Sequence, residues 1–148
     1  MRAVVQCVKK AGVTVDNELI GSIEEGVLLF LGIEEGDTEE DLRYICDKTI
    51  NLRVFEDDEG KLNRSVADIN GGILLVSQFT LCGDARKGRR PSYIKAARPE
   101  TALPLYEKAI ALLGGRVRVA TGKFQAKMEV TLINDGPVTI LLDSKRLF

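Results

Sequence analysis

"NDGPVTI" (Asn134–Ile140) decides how the C-terminal part of the chain is read. "AKMEVTLI" (Ala126–Ile133) precedes it and "VTILLD" (Val138–Asp143) overlaps and follows it. Both read as strands, rich in β-branched residues. Asp135-Gly136 between them is a strong hairpin signal. Pro137 conflicts with that, because it has no N–H to give a central ladder. Two readings remain open. One is an ordinary turn with the proline on an edge strand. The other is a Gly-Pro bond held cis, the only peptide type for which that costs as little as about 0.5–1 kcal/mol.

Working outward, "RVRVAT" (Arg116–Thr121) adds a third C-terminal strand, counting those on either side of Gly136-Pro137. Before it, Leu103, Tyr106, Ile110 and Leu113 mark an amphipathic helix, with Thr101 as its cap, Pro104 in its first turn and Gly114-Gly115 as its stop. "GGILLVSQFTL" (Gly71–Leu81) is a buried strand that turns polar at its end. "LRVF" with "EDDEGK" suggests a small hairpin. Leu42, Ile45, Cys46 and Ile50 give a second helix face, capped by Asp37 or Thr38. "GVLLFLGI" is an apolar strand, and "RAVVQCVKK" and "GVTVDNELIGSI" supply a strand and a hairpin turning at Asp16-Asn17.

The order is about two strands, two strand–helix units with a small extra hairpin, then three strands. That predicts one α/β domain over residues 1–148, with mixed, mostly antiparallel sheets and two outer helices. Such a sheet leaves a face or edge that an oligomer would cover.

Composition narrows the chemistry. Net charge is −1 over 148 residues, so no global charge announces a nucleic-acid partner. There is no histidine, which excludes Ser/His and Cys/His nucleophile pairs and His-ligated metal. Cys7, Cys46 and Cys82 are odd in number and widely spaced, which argues against a disulfide framework and for a reducing, cytoplasmic setting. The acidic runs "EEGDTEED" and "EDDEGK" fit no calcium-loop spacing, so neither metal nor cofactor is expected.

Besides Asn134–Ile140, where a cis Gly-Pro would expose the Gly136 carbonyl, two stretches could carry chemistry. "SQFTL" (Ser77–Leu81) places hydroxyls, an amide and free N–H groups where a buried strand meets a loop. Ser and Thr there could equally satisfy local backbone. "DARKGRRPSYIKAARP" (Asp84–Pro99) follows at once, with Arg86, Lys87, Arg89, Arg90, Lys95 and Arg98 against one Asp. It reads either as a solvated face or as a phosphate clamp on which Tyr93 could stack a base.

"SQFTL", "KGRRPSY" and "NDGPVT", in this order and spacing, resemble the D-aminoacyl-tRNA deacylases. "MRAVVQ", "DKTINLRVFEDDEGKLNRSV" and "GILLVSQFTL" extend the resemblance over essentially all 148 residues. It implies a cytosolic homodimer, with its site at the interface, that hydrolyses the ester between D-amino acids, or mischarged glycine, and tRNA. It implies a cis Gly136-Pro137 reaching into the partner's pocket, where its two carbonyls meet the substrate amine and an L side chain would clash. Ala126 and Met128 would line the pocket, and Arg86, Lys87, Arg89 and Arg90 would hold the acceptor end. Two positions depart from the pattern. Cys7 stands where Arg is common, and Gln125 replaces a glycine in "GKFQAKM" (Gly122–Met128).

Thr80 could be the nucleophile, but a threonine hydroxyl with no adjacent base is a weak one. The expected mechanism instead uses Gln78 and Phe79 N–H groups for the oxyanion, Ser77 and Thr80 to shape the pocket, and the tRNA 2′-OH for proton transfer. The competing reading from another class is a non-catalytic RNA-binding module using the basic loop 86–98.

Overall fold

The computed structural model describes all residues, 1–148. Its strands are β1 (Arg2–Val15), β2 (Glu18–Ile23), β3 (Gly26–Gly32), β4 (Phe55–Glu56), β5 (Leu62–Arg64), β6 (Gly72–Ser77), β7 (Arg118–Thr121) and β8 (Glu129–Asp143). The helices are α1 (Glu39–Asn51) and α2 (Pro99–Gly114), and a 3₁₀ turn covers Phe79–Cys82. The mixed α/β architecture with two helices is the one expected.

β1 organises the sheet. Antiparallel β8 runs along it from Arg2↔Asp143 to Thr14↔Glu129. β3 pairs with its first half and β2 with its second. β6 then joins β3, and β7 joins β6, both in parallel. Each parallel step needs a crossover, and α1 and α2 lie on those connections. The sheet curls until β2 meets β7, so closely that a Cβ on Gly21 would fall 2.3 Å from the Thr121 carbonyl oxygen.

Period-two alternation divides the core between the two faces. Val27, Leu29, Leu31, Ile73 and Leu75 point to the larger cluster, with Leu42, Ile45, Ile50, Tyr106 and Leu113 from the helices. Leu28, Leu74 and Val76 point the other way, to Val8, Ala11 and Val13. Burying a side chain such as Leu29 fully contributes about 1.5–3 kcal/mol.

Several expectations are corrected. The residues either side of Gly136-Pro137 form one strand, not two, because Gly136 and Pro137 sit in a bulge where the β1/β8 register shifts near Val8. β1 likewise absorbs two expected strands, while the turn to β2 falls at Asp16-Asn17 as expected, both with positive φ. α1 is capped by Thr38, whose N–H and hydroxyl both donate to Asp41 Oδ2 (2.8 and 3.0 Å). Asp37 instead takes the Met1 ammonium at 2.8 Å. α2 starts at Pro99 behind Arg98 rather than at Thr101. Pro104 is therefore its sixth residue, past the turn with free N–H groups. The buried face of α2 is Ala102, Tyr106, Ala109 and Leu113, while Leu103 is exposed.

Candidate active site

The polar end of β6 opens onto a cavity of about 500 Å³. Ser77, Gln78 and Phe79 form one wall, and Phe124, Gln125, Ala126 and Met128 another. Ile33, Val76, Ala97, Ala102 and Val130 make the rest mostly apolar. Sequence reasoning missed Phe124, which is backed by the buried Tyr106 ring at a centroid distance of 5.5 Å. The Tyr106 hydroxyl donates to the Leu75 carbonyl at 3.3 Å, and burial pushes its pKa up to about 12. It backs the Phe124 wall and is not placed to act as an acid.

The chain leaves β6 for the 3₁₀ turn at Gln78, whose N–H still follows the ladder, donating to the Leu31 carbonyl at 2.8 Å. Gly32 makes room for this: a Cβ there would lie 2.9 Å from the Gln78 carbonyl oxygen. The Gln78 N–H expected to meet an oxyanion is thus already engaged. Phe79 and Thr80 open the turn, and N–H groups at such a start have no carbonyl behind them within the turn. Arg2, also missed, closes its far end by donating from Nη1 to the Leu81 carbonyl at 3.2 Å. Arg2 is held in turn by Glu34 (3.6 Å) and Asp143 (3.4 Å).

Thr80 is exposed and does not line the cavity. Its hydroxyl accepts a hydrogen bond from the Gln78 side-chain amide, so it orients a group that does line it. No ionisable side chain lines the cavity.

Gln125 adopts φ 65° as the third residue of a turn closed by Ala126 N–H to the Lys123 carbonyl (3.1 Å). Positive φ there favours glycine. That is the position at which the sequence pattern commonly has glycine, so the departure carries backbone strain beside the cavity.

Gly136-Pro137 is cis, with Gly136 at φ 120°. Asp135, Gly136 and Pro137 are exposed. Gly136 borders a second cavity, of about 480 Å³, together with Cys7, Val54, Phe55 and Asp135. Within one chain, then, the Ser77–Phe79 wall and the Gly-Pro turn face different cavities. Asn134 holds the turn: its Nδ2 donates to the Cys7 and Val138 carbonyls, each at 3.0 Å. The Cys7 side chain is buried and its thiol reaches the Val54 carbonyl at 3.4 Å. Burial, and then Asp135, raise its pKa to about 11.

The basic loop is a pinned excursion. Asp84 and Ser92 exchange backbone hydrogen bonds of 2.8 and 2.9 Å at its neck. Arg86 binds Asp84 with both arms, Nε to Oδ1 at 2.9 Å and Nη2 to Oδ2 at 2.6 Å. This pairing holds the Asp84 carboxyl well below the usual range. Lys87, Arg89 and Arg90 are exposed. Their charges have no acidic partner within salt-bridge distance. No group of His, Cys, Asp and Glu is arranged to hold a metal ion. No helix is long and apolar enough to cross a membrane.

Residues 4–143 match the D-Tyr-tRNA(Tyr) deacylase family. The chain belongs to that family. Curated relatives named D-aminoacyl-tRNA deacylase are 58% identical in Halothermothrix orenii and 54% in Thermotoga petrophila, covering all of both chains. Among solved structures, a c-Myc DNA unwinding element binding protein superposes with a TM-score of 0.92 at 44% identity, over 97% of this chain and 98% of that one. A probable eukaryotic D-amino acid tRNA deacylase superposes with a TM-score of 0.78 at 18% identity, over 95% and 97%. That last likeness shows the deacylase fold alone.

Proposed function

We propose that this deacylase-family chain hydrolyses the ester between a D-amino acid, or glycine, and the 3′ end of tRNA, as a cytoplasmic homodimer. One observation carries the two-chain form of the site. The exposed Gly136-Pro137 turn lies outside the lining of the cavity of its own Ser77–Phe79 wall, and Gly136 borders a different cavity. A second copy would bring turn and cavity together. Exposed Ile133 and Leu141 on β8 are apolar surface such a copy would cover.

In that arrangement the Gly136 and Pro137 carbonyls accept from the substrate ammonium. The rigid backbone leaves room for Cα–H but not for an L side chain, so selection works by exclusion. Ala126 and Met128 line the pocket. Phe79 N–H, with Thr80 N–H beside it, donates to the oxyanion as the ester carbonyl is attacked. Gln78, steadied by Thr80, orients the attacking water. The ribose 2′-OH moves the proton, because no side chain of the cavity wall can. Lys87, Arg89 and Arg90 hold acceptor phosphates, while Arg86 mainly braces the loop.

The test compares hydrolysis of matched D- and L-aminoacyl-tRNA by the wild-type protein and Pro137→Ala. Wild type should cleave only the D-ester, and the variant should lose that preference. A variant that still ignores L-esters refutes the selector. Absence of turnover in the wild type favours the non-catalytic RNA-binding reading.

A further inference from the structure

The rim of the cavity carries an aromatic pair that the hydrolytic chemistry leaves unused. Phe79 and Tyr93 meet edge to face, with centroids 5.3 Å apart and ring planes at 71°. Both stay open to solvent, at 55% and 40% exposure, and the neighbouring Ile94 is 90% exposed. Paired aromatics normally bury their area. Here they are held out rigidly. The Tyr93 ring lies on Gly83, where an added Cβ would come 2.9 Å from Tyr93 Cε1. The Asp84–Ser92 bridge fixes the chain just before Tyr93, and Ala96 N–H donates to the Tyr93 carbonyl at 3.0 Å just after it. The same bridge carries the loop of Lys87, Arg89 and Arg90, whose charges have no acidic partner.

A fixed, exposed aromatic pair beside uncompensated cations fits a single-stranded nucleic acid, whose bases stack and whose phosphates need positive charge. We infer that Phe79 and Tyr93 form a stacking platform for the unpaired nucleotides that precede the terminal adenosine of the acceptor strand, with the 84–92 loop gripping their phosphates. This rests on the reading that the cavity takes the ester at that terminal adenosine. Phe79 stands at the cavity wall and Tyr93 outside its lining, so the Tyr93 half of the platform acts on strand capture rather than on bond cleavage.

Two substrates isolate it: full D-aminoacyl-tRNA, and D-aminoacyl-adenosine, which lacks the preceding nucleotides. Tyr93→Ala should raise KM about tenfold on tRNA with kcat retained, a typical loss for one stacked base. On the aminoacyl-adenosine its effect should stay under twofold. Tyr93→Phe keeps the ring and should match wild type on both. In parallel, fluorescence anisotropy with a labelled single-stranded oligonucleotide ending in CCA reads binding without turnover. There Tyr93→Ala should weaken binding with an unchanged salt slope, whereas Lys87→Ala should lower the slope by roughly one. Equal losses on both substrates, or oligonucleotide binding unaffected by Tyr93→Ala, would overturn the platform. If the wild type cleaves neither substrate, the deacylase reading fails, and the anisotropy result still decides the platform.

Discussion

Replacing Asn134 tests whether the Gly-Pro turn is held by one side chain. Its amide donates to the Cys7 and Val138 carbonyls, both at 3.0 Å, across the shifted β1/β8 register. A typical hydrogen bond contributes about 0.5–1.5 kcal/mol net. The site is half-buried, so water can reach part of what is exposed. Asn134→Ala should therefore cost about 1–2 kcal/mol. For a domain of this size that lowers Tm by roughly 3–7 °C. Asn134→Asp has nearly the same shape but offers no donor and sets a carboxylate against two carbonyl oxygens. It should cost at least as much. If Gly136 and Pro137 are the selector, loosening them should also erode D-over-L preference, by about tenfold for a 1.4 kcal/mol loss. Urea denaturation gives the first number and paired D- and L-ester hydrolysis the second. An Asn134→Asp protein with wild-type stability and wild-type preference would refute the clip.

Other perturbations give sharp expectations. Under single turnover Thr80→Ala should slow hydrolysis only about tenfold, roughly 1.4 kcal/mol, by freeing the Gln78 amide. Near-total loss with tRNA binding intact would instead make Thr80 the nucleophile. Gln125→Gly should be neutral or stabilising, by up to about 1 kcal/mol, because it relieves a positive φ that costs about 1–2 kcal/mol in an L-residue; thermal melting reads it. Burial raises the Cys7, Cys46 and Cys82 thiols to about 11, 12 and 11. These pKa values lie above the unfolded value near 9, so the stability the neutral thiols contribute is complete below pH about 9 and is lost as pH rises toward 11. Urea titrations at stepped pH should follow that fall, and thiol alkylation at pH 8 should wait for unfolding.

Most elements were legible because their signals are local. The apolar runs of β3 and β6 and the spacing of Leu42, Ile45, Cys46 and Ile50 need no distant partner to be read. The "SQFTL" wall was legible through its abrupt change from apolar to polar. What escaped was set by distant contacts. That Gly136-Pro137 interrupts a single strand depends on β1 running alongside, more than a hundred residues away. The start of α2 was misplaced because Pro99 can open a helix behind Arg98 without a side-chain cap. Arg2 and Asn134 look like ordinary strand polar residues, and only the fold brings one to the Leu81 carbonyl and the other to the Cys7 carbonyl. The engagement of Gln78 N–H likewise follows from the β3 pairing, not from the motif.

The β1/β8 ribbon sets a clock on the protein's own production. β1 leaves the ribosome long before β8, so the central pairing has a loop of over a hundred residues to close. Such non-local pairing folds slowly, on the millisecond-to-second side of the range for small domains. Until then β1 offers one unpaired edge of apolar residues to other chains. Productive folding of this chain is therefore decided after β8 is released, not while the helices are being made.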